Sequence, residues 1–373
     1  MKKLLAITPY FGKTGSEIAL LNVLNAISTS FQIDVFTPNR QPELTSELAE
    51  SISLYHPKSS KSSFSEKLKK RISKTSSETP SILDRWVIQT DYDYVLLNTL
   101  VSLSHFKVAQ LKAKKTIIYI HETEVMLPTV HLGVFNEVIK EADLILCSSR
   151  YVKDYFKTLG RSKNIAILHP SLDYSKFNTS VKTSDLRTAL GFRDADYVWA
   201  MVGAMTINKN PKLFIEIATK LHKTNPNAKF LWIGYNDVKT YDSFLKASIT
   251  EQKLEDVVKF IEPQDGAYFD YINMMDGFVL TSFSESFSLA SLEAACFGKP
   301  VVSFPCGGIK EAVPPELVKI AKEYSVQEII ELMLETMNET KPDLSNQIIG
   351  RLLETNALVV GDRFQEILKS NQL

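Results

Sequence analysis

The chain has 373 residues, more than one hydrophobic core usually serves, so two domains are expected. Acidic and basic residues cancel at 43 each, leaving no net field to draw the protein to nucleic acid, and 44% apolar with 23% charged residues is the composition of a folded globular protein. Three widely spaced cysteines, Cys147, Cys296 and Cys306, form no C-x-x-C pair, which argues against a disulfide framework or structural zinc and for the cytosol.

Met1 to Ile7 has the charged-then-apolar order of a signal peptide, but the run stops at Thr8-Pro9 with no small-residue cleavage site, so it reads as a first buried strand. No stretch reaches the roughly 20 apolar residues that span a bilayer. Gly12-Lys13-Thr14-Gly15-Ser16-Glu17 then turns into a helical pattern over Glu17 to Ser28. It is not a Walker A loop, because Ile7 stands where that motif needs its first glycine. Apolar runs at Gln32 to Phe36, Tyr94 to Leu97 and Thr116 to Ile120 alternate with helical patterns, which predicts βαβ units on a parallel sheet.

Pro57 to Pro80 interrupts this rhythm with serines and the cations Lys67, Lys69, Lys70, Arg71 and Lys74, and reads as a mobile excursion. A solvated loop is the simpler reading; the sharper one is a contact with anionic lipid or an anionic acceptor, which would make the protein peripheral at the inner face of a membrane. Asp91-Tyr92-Asp93 has the look of a manganese-binding DxD motif, but it precedes the strand at Tyr94, and ligands of such sheets lie beyond the carboxyl ends, so no metal site is expected. His121-Glu122 does follow a strand and falls at a carboxyl end.

Pro170 to Asp185, poor in apolar periodicity, reads as an interdomain connection. The strand rhythm resumes at Tyr197 to Val202 and continues through Phe230 to Ile233, Val257 to Ile261, Gly277 to Leu280 and Val301 to Phe304, which predicts a second doubly wound domain. After the strand Gly277 to Leu280, Ser282-Phe283-Ser284-Glu285-Ser286-Phe287-Ser288-Leu289-Ala290-Ser291-Leu292-Glu293-Ala294-Ala295 opens a helix, with Glu293 about two turns in. At about 1.5 Å rise per residue the two carboxylates stand on the order of 10 Å apart, within reach of one nucleotide sugar. Amides at the start of that helix are suited to phosphate oxygens. An ordinary amphipathic helix with Leu289 and Leu292 turned inward would instead leave both glutamates exposed.

Glu285 to Glu293, continued by Phe297-Gly298-Lys299-Pro300-Val301-Val302, resembles the E-x7-E motif of the family 4 retaining glycosyltransferases (glycosyl transferases group 1). That resemblance implies a GT-B fold: α/β, two facing Rossmann-like doubly wound parallel-sheet domains with a cleft between them. Residues 1–175 would be the acceptor-side domain, 186–350 the nucleotide-sugar-binding domain and 351–373 a C-terminal helix returning to the first. By the same resemblance Glu285 holds sugar hydroxyls, Glu293 the ribose, and Lys209 in Gly203 to Pro211 the diphosphate, with Ser286, Phe287, Ser288 and Leu289 along the donor. Gly15 faces the donor phosphates and His121 the donor sugar. Ala204 departs from the pattern, standing where the family carries an arginine, and Lys13 or Arg150 are candidate substitutes. Ala142 to Ser149 and Leu168 to Asp173 also match, with structural value.

The reaction implied is metal-independent retaining transfer of a hexose-type sugar, with no cofactor beyond a nucleotide diphosphate sugar as co-substrate. UDP-sugars come first as donors and GDP-mannose next; the acceptor is a glycan, a lipid-linked sugar or a protein, in cell-surface or extracellular polysaccharide synthesis. Ala204, with Ser286 and Ser288 where glycines are common, motivates a rival: a noncatalytic GT-B-like glycan-binding or partner subunit. An epimerase would need acid and base groups on both sides of the sugar ring, and the sequence offers no such set.

Overall fold

The computed structural model describes residues 1–40, 42–56, 91–125, 132–177, 179–234, 239–262, 266–340 and 345–373. The basic stretch 57–80 lies outside the described residues. Among the described residues the strands form two sheets, each parallel throughout. The first runs β3-β2-β1-β4-β5-β6-β7, from Lys2–Ile7 (β1), Phe31–Phe36 (β2), Ser53–Tyr55 (β3), Tyr92–Asn98 (β4), Ala113–Ile120 (β5), Leu144–Cys147 (β6) and Ile165–Ile167 (β7). The second runs β10-β9-β8-β11-β12-β13, from Tyr197–Val202 (β8), Ala228–Ile233 (β9), Val258–Ile261 (β10), Gly277–Leu280 (β11), Val301–Ser303 (β12) and Val318–Ile320 (β13).

Parallel strands covered on both faces need continuous apolar runs. Leu4 to Ile7, Val95 to Leu97 and Ile117 to Ile120 supply them in the first sheet, and Val198 to Met201 and Phe278 to Leu280 in the second, all at most 1% exposed. Helices cover the sheets by one face each. In Pro211–Thr224, proline opens the helix, Asn210 caps it by accepting from Leu213 N at 3.2 Å, and Phe214, Ile215, Ile217, Ala218 and Leu221 turn inward. The helix Ala357–Ser370 crosses back to the first sheet, where Val360, Phe364 and Leu368 join the core around the helix Gly15–Ile27.

The two passages between the halves are tied to each other. Leu172 N donates to Thr355 O at 2.9 Å, and Ala357 N donates to Leu172 O at 2.8 Å, an isolated parallel bridge where the chain leaves and re-enters the first half.

Each sheet has one switch point, where strand order reverses: between β1 and β4 in the first, between β8 and β11 in the second. Loops leaving the carboxyl ends of such a strand pair diverge and open a crevice, the usual ligand position in open α/β sheets. The segments at issue are therefore those after β1, β4, β8 and β11.

Candidate functional site

Those four segments converge. Gly15 begins the helix after β1, and a β-carbon built there would lie 3.6 Å from Leu289 Cδ1, at the start of the helix after β11. Both helices begin without a side-chain cap. Thr14 gives its hydroxyl to Glu17, and Ser288 pairs its hydroxyl with Ser291 at 2.8 Å. Two sets of first-turn amides thus meet across the cleft, each carrying roughly half a positive charge.

The E-x7-E stretch departs from the expected geometry in one respect. The helix opens only at Leu289, so Ser286 and Phe287 belong to the turn, and Glu293 enters the second turn instead of lying about two turns in. Ser288 is why: it sits at φ 76, ψ 78, a left-handed conformation that costs a non-glycine residue about 1 kcal/mol and resets the chain direction before the helix. Neither glutamate is exposed, as an ordinary surface helix would leave them: Glu285 is 8% and Glu293 9% accessible.

Glu285 Oε1 accepts from Lys209 Nζ at 2.6 Å, bringing together the carboxylate after β11 and the lysine after β8. Lys209's stem runs over Gly203, where a β-carbon would come 3.3 Å from its Cε. The two segments are laced by Phe283 N to Asn208 O at 2.8 Å, Asn208 Nδ2 to Ser284 O at 2.9 Å and Thr281 Oγ1 to Lys209 O at 2.8 Å. Gly307 and Gly308 close against the back of Glu285 and Ser286: Gly308 N donates to Glu285 O at 2.9 Å, and a β-carbon on either glycine would overlap a carbonyl oxygen of that turn. Ala204 is exposed and brings no charge. Lys13 and Arg150 are exposed too, Lys13 in the loop beside Gly15 and Arg150 at the start of a helix.

Glu293 accepts a hydrogen bond from the Tyr268 hydroxyl. Burial pushes its carboxyl up to about 7, against the partial relief that this bond gives.

In the first half His121 stands at the end of β5, its ring against Tyr119 at 4.0 Å between centroids and its Nε2 3.0 Å from Asn98 Oδ1 at the end of β4. Asn98 turns its amide nitrogen to Thr8 Oγ1 and Ser16 O, each at 3.4 Å, so Oδ1 accepts and His121 carries its proton on Nε2. Burial drives the imidazole down to about 3, so it is neutral, with Nδ1 as an acceptor. Two carboxyls stand nearby, both raised by desolvation: the half-buried Glu122, pushed up to about 7, accepts from Leu100 N at 2.9 Å, and the buried Glu17 accepts from Ser16 Oγ at 2.6 Å and Thr8 Oγ1 at 3.2 Å.

Contacts across the cleft hold the halves together. Thr123 Oγ1 accepts from Ser284 Oγ at 2.8 Å, with both residues buried. Glu311 reaches the N-terminus of the helix Arg150–Thr158, accepting from Arg150 N at 2.7 Å and Tyr151 N at 3.2 Å, and pairs with His169 Nε2 at 3.0 Å. Burial works to raise the Glu311 carboxyl, but His169 and the two amides outweigh it and hold it below the usual range. Asp93 lies at the amino end of β4, far from this constellation in the sheet, bonded by Lys3 N at 2.8 Å and Lys114 Nζ at 2.7 Å.

Sequence reasoning missed Asn98, Tyr268, Thr123 and Glu311. Asn98 was findable, as the polar residue ending an apolar strand; Tyr268 and Glu311 owe their positions to packing between distant elements.

Two parallel sheets whose switch points face one another across a polar cleft define a GT-B architecture, and the comparisons with known proteins agree. The family model "Glycosyl transferases group 1" matches residues 182–351, and "Glycosyltransferase Family 4" matches residues 14–176. Among curated relatives, a D-inositol 3-phosphate glycosyltransferase of Mycobacteroides abscessus is 28% identical over 183 residues, 48% of this chain and 40% of that protein. Its namesake in Kribbella flavida is 24% identical over 240 residues, 62% of this chain and 53% of that one. The matches thus span about half the length of these relatives. Among solved structures, Anabaena HepE in complex with UDP and glucose has a TM-score of 0.82 at 18% identity, covering 99% of this chain and 100% of that one. A sucrose-phosphate synthase of Thermosynechococcus elongatus has a TM-score of 0.79 at 16% identity, covering 99% of each chain. The chain belongs to the GT-B glycosyltransferases of the family 4 type.

Proposed function

We propose that the protein is a metal-independent retaining glycosyltransferase that moves a hexose-type sugar from a nucleoside diphosphate sugar, with UDP-sugars first and GDP-mannose next, to a glycan or lipid-linked acceptor. The observation that carries this reading is the meeting of two helix N-termini without side-chain caps beside the half-buried Lys209–Glu285 pair, with Glu293 one helix turn beyond.

A diphosphate between the helices Gly15–Ile27 and Leu289–Cys296 is held by first-turn amides from both sides. Binding exchanges the Lys209–Glu285 pair for two ligand contacts: the ammonium turns to the phosphate, and the carboxylate to the sugar hydroxyls. Lys209 then faces the negative charge that grows as the bond from the anomeric carbon to the phosphate oxygen breaks, a contribution worth several kcal/mol in a closed site. The acceptor oxygen attacks from the same face, and the departing phosphate oxygen takes its proton. Glu293 holds the ribose. His121, neutral, accepts a sugar hydroxyl at Nδ1 and orients the ring without adding charge. The UDP bound by HepE supports uridine as the first base to try.

The test is calorimetric titration with UDP-glucose, UDP-N-acetylglucosamine and GDP-mannose, repeated on Glu285→Ala and Glu293→Ala. One donor should bind; Glu285→Ala should abolish transfer, and Glu293→Ala should chiefly weaken donor binding. Wild-type transfer by both variants would refute the assignment. Ala204 favours one second reading, a noncatalytic partner subunit, because it brings no charge where the resembling family carries an arginine. Slow donor hydrolysis without acceptor marks the enzyme, and its absence marks the subunit.

A further inference from the structure

Glu293 is an awkward residue for its position. Its helix buries Ser291, Leu292, Ala294 and Ala295 around it, and among the described residues one side chain bonds its carboxylate, that of Tyr268. Tyr268 comes from a different element, the helix Tyr268–Met274 that follows β10. It is braced there: its ring meets Phe269 edge-on at 5.0 Å between centroids, and Phe269 is packed in turn against Phe177 at 4.4 Å and Phe297 at 6.0 Å. A hydroxyl on so constrained a ring has a fixed direction, and it is spent on Glu293 Oε2.

We infer that Tyr268 is a positioning residue for donor binding: it fixes Glu293 by one carboxylate oxygen, so that the other, Oε1, is presented to the ribose hydroxyls. This rests on the donor-site reading above. A carboxylate held at a single oxygen cannot spin, and its remaining oxygen meets a rigid diol with little orientational loss. Tyr268 also favours the ionised form, which can accept from both ribose hydroxyls, whereas a protonated carboxyl must donate one of its bonds. Few other groups decide that ionisation. The described titratable groups facing Glu293 are Tyr268 and, on its own helix, Cys296. Both are raised by burial, the thiol to about 12, and both are neutral through the working range. Tyr174, the titratable neighbour of Cys296, is raised as well.

The experiment is calorimetric titration of UDP and of GDP into wild type, Tyr268→Phe, Glu293→Gln and the double variant between pH 6 and 8.5. Wild-type affinity should fall as pH drops through about 7, where Glu293 takes up its proton. Tyr268→Phe should bind about tenfold more weakly at pH 7.5, since it loses a hydrogen bond to a charged group, and its midpoint should move to higher pH. The double variant should bind no more weakly than Glu293→Gln, because Tyr268 acts through Glu293. Glu293→Asp, which draws the carboxylate back from an intact tyrosine, should show the same upward midpoint and stands in if Tyr268→Phe misfolds. Wild-type affinity and midpoint in Tyr268→Phe, or losses that add in the double variant, would overturn the inference alone. Failure of wild type to bind either nucleotide would overturn the donor-site reading and the inference with it.

Discussion

Replacing Glu293 by glutamine should stabilise the protein while weakening donor binding, and the size of the gain follows from the site. Burial raises the carboxyl from 4.5 in the unfolded chain to about 7 in the folded protein. A raised folded value means stability fully present below pH 4.5 and lost as pH rises through 7, since the folded state must then hold an ionised group that burial disfavours. At 1.36 kcal/mol per pH unit, the cost reaches about 3 kcal/mol at pH 8 and shrinks to about 1 kcal/mol at pH 5. Glutamine is neutral throughout and still accepts from Tyr268, so it removes the cost and keeps the bond. Glu293→Gln should therefore melt above wild type at pH 8, by roughly 6 °C at about 2 °C per kcal/mol, with the gap closing towards pH 5 and nucleotide binding weakened. Differential scanning calorimetry at four pH values measures this directly. A variant no more stable than wild type at pH 8, or a gap constant from pH 8 to pH 5, would refute the reasoning.

His121→Gln gives the opposite slope. The half-buried imidazole has its value lowered by desolvation from 6.5 to about 3, so wild type loses stability as pH falls from 6.5 towards 3, about 2 kcal/mol by pH 5, and the variant should lack that loss in urea titrations at pH 8 and pH 5. Gly308→Ala should cut transfer at least about a hundredfold and destabilise by about 1–3 kcal/mol, because its β-carbon would overlap Ser286 O and push the turn that carries Glu285. A wild-type rate in that variant would show the turn to be free to move. Glu311→Gln removes an anion from the N-terminus of Arg150–Thr158, a contact worth up to about 2 kcal/mol when partly buried. The closed arrangement should loosen, read as a larger radius of gyration in small-angle scattering.

Strands were legible where burial on both faces forces an unbroken apolar run, so Tyr197–Val202 and Gly277–Leu280 fall where the hydropathy puts them. The short strands Ser53–Tyr55, Ile165–Ile167 and Val318–Ile320 were not, because each is an edge or near-edge strand of three residues, too brief to show a period. Within the candidate site, Glu285, Glu293 and Lys209 were visible as a spaced set of chemical types. Their pairing was not. Nothing in the spacing says that Lys209 spends its charge on Glu285, or that Tyr268, 25 residues before Glu293, is brought to its carboxylate. Those contacts come from the switch-point crossover, which joins segments by sheet order instead of sequence order. The left-handed Ser288 is the intermediate case: the serine was noticed as an oddity where glycine is common, and the backbone supplies the reason.

The buried ionisable groups carry the argument for function further than the fold does. A protein selected only to fold would not retain Glu293 and Glu122 at about 7 and His121 at about 3, since burial disfavours the charged form of each. Ser288 adds a left-handed turn beside them. These four sit on the segments that leave β5 and β11 at their carboxyl ends, where the two sheets face one another. Perturbed groups gathered at one cleft are what a binding or catalytic site requires, whereas a purely structural polar network has no reason to choose the facing carboxyl ends of both sheets. Loss of affinity coupled to gain of stability in Glu293→Gln is therefore the sharpest discriminator between an occupied cleft and an inherited shell.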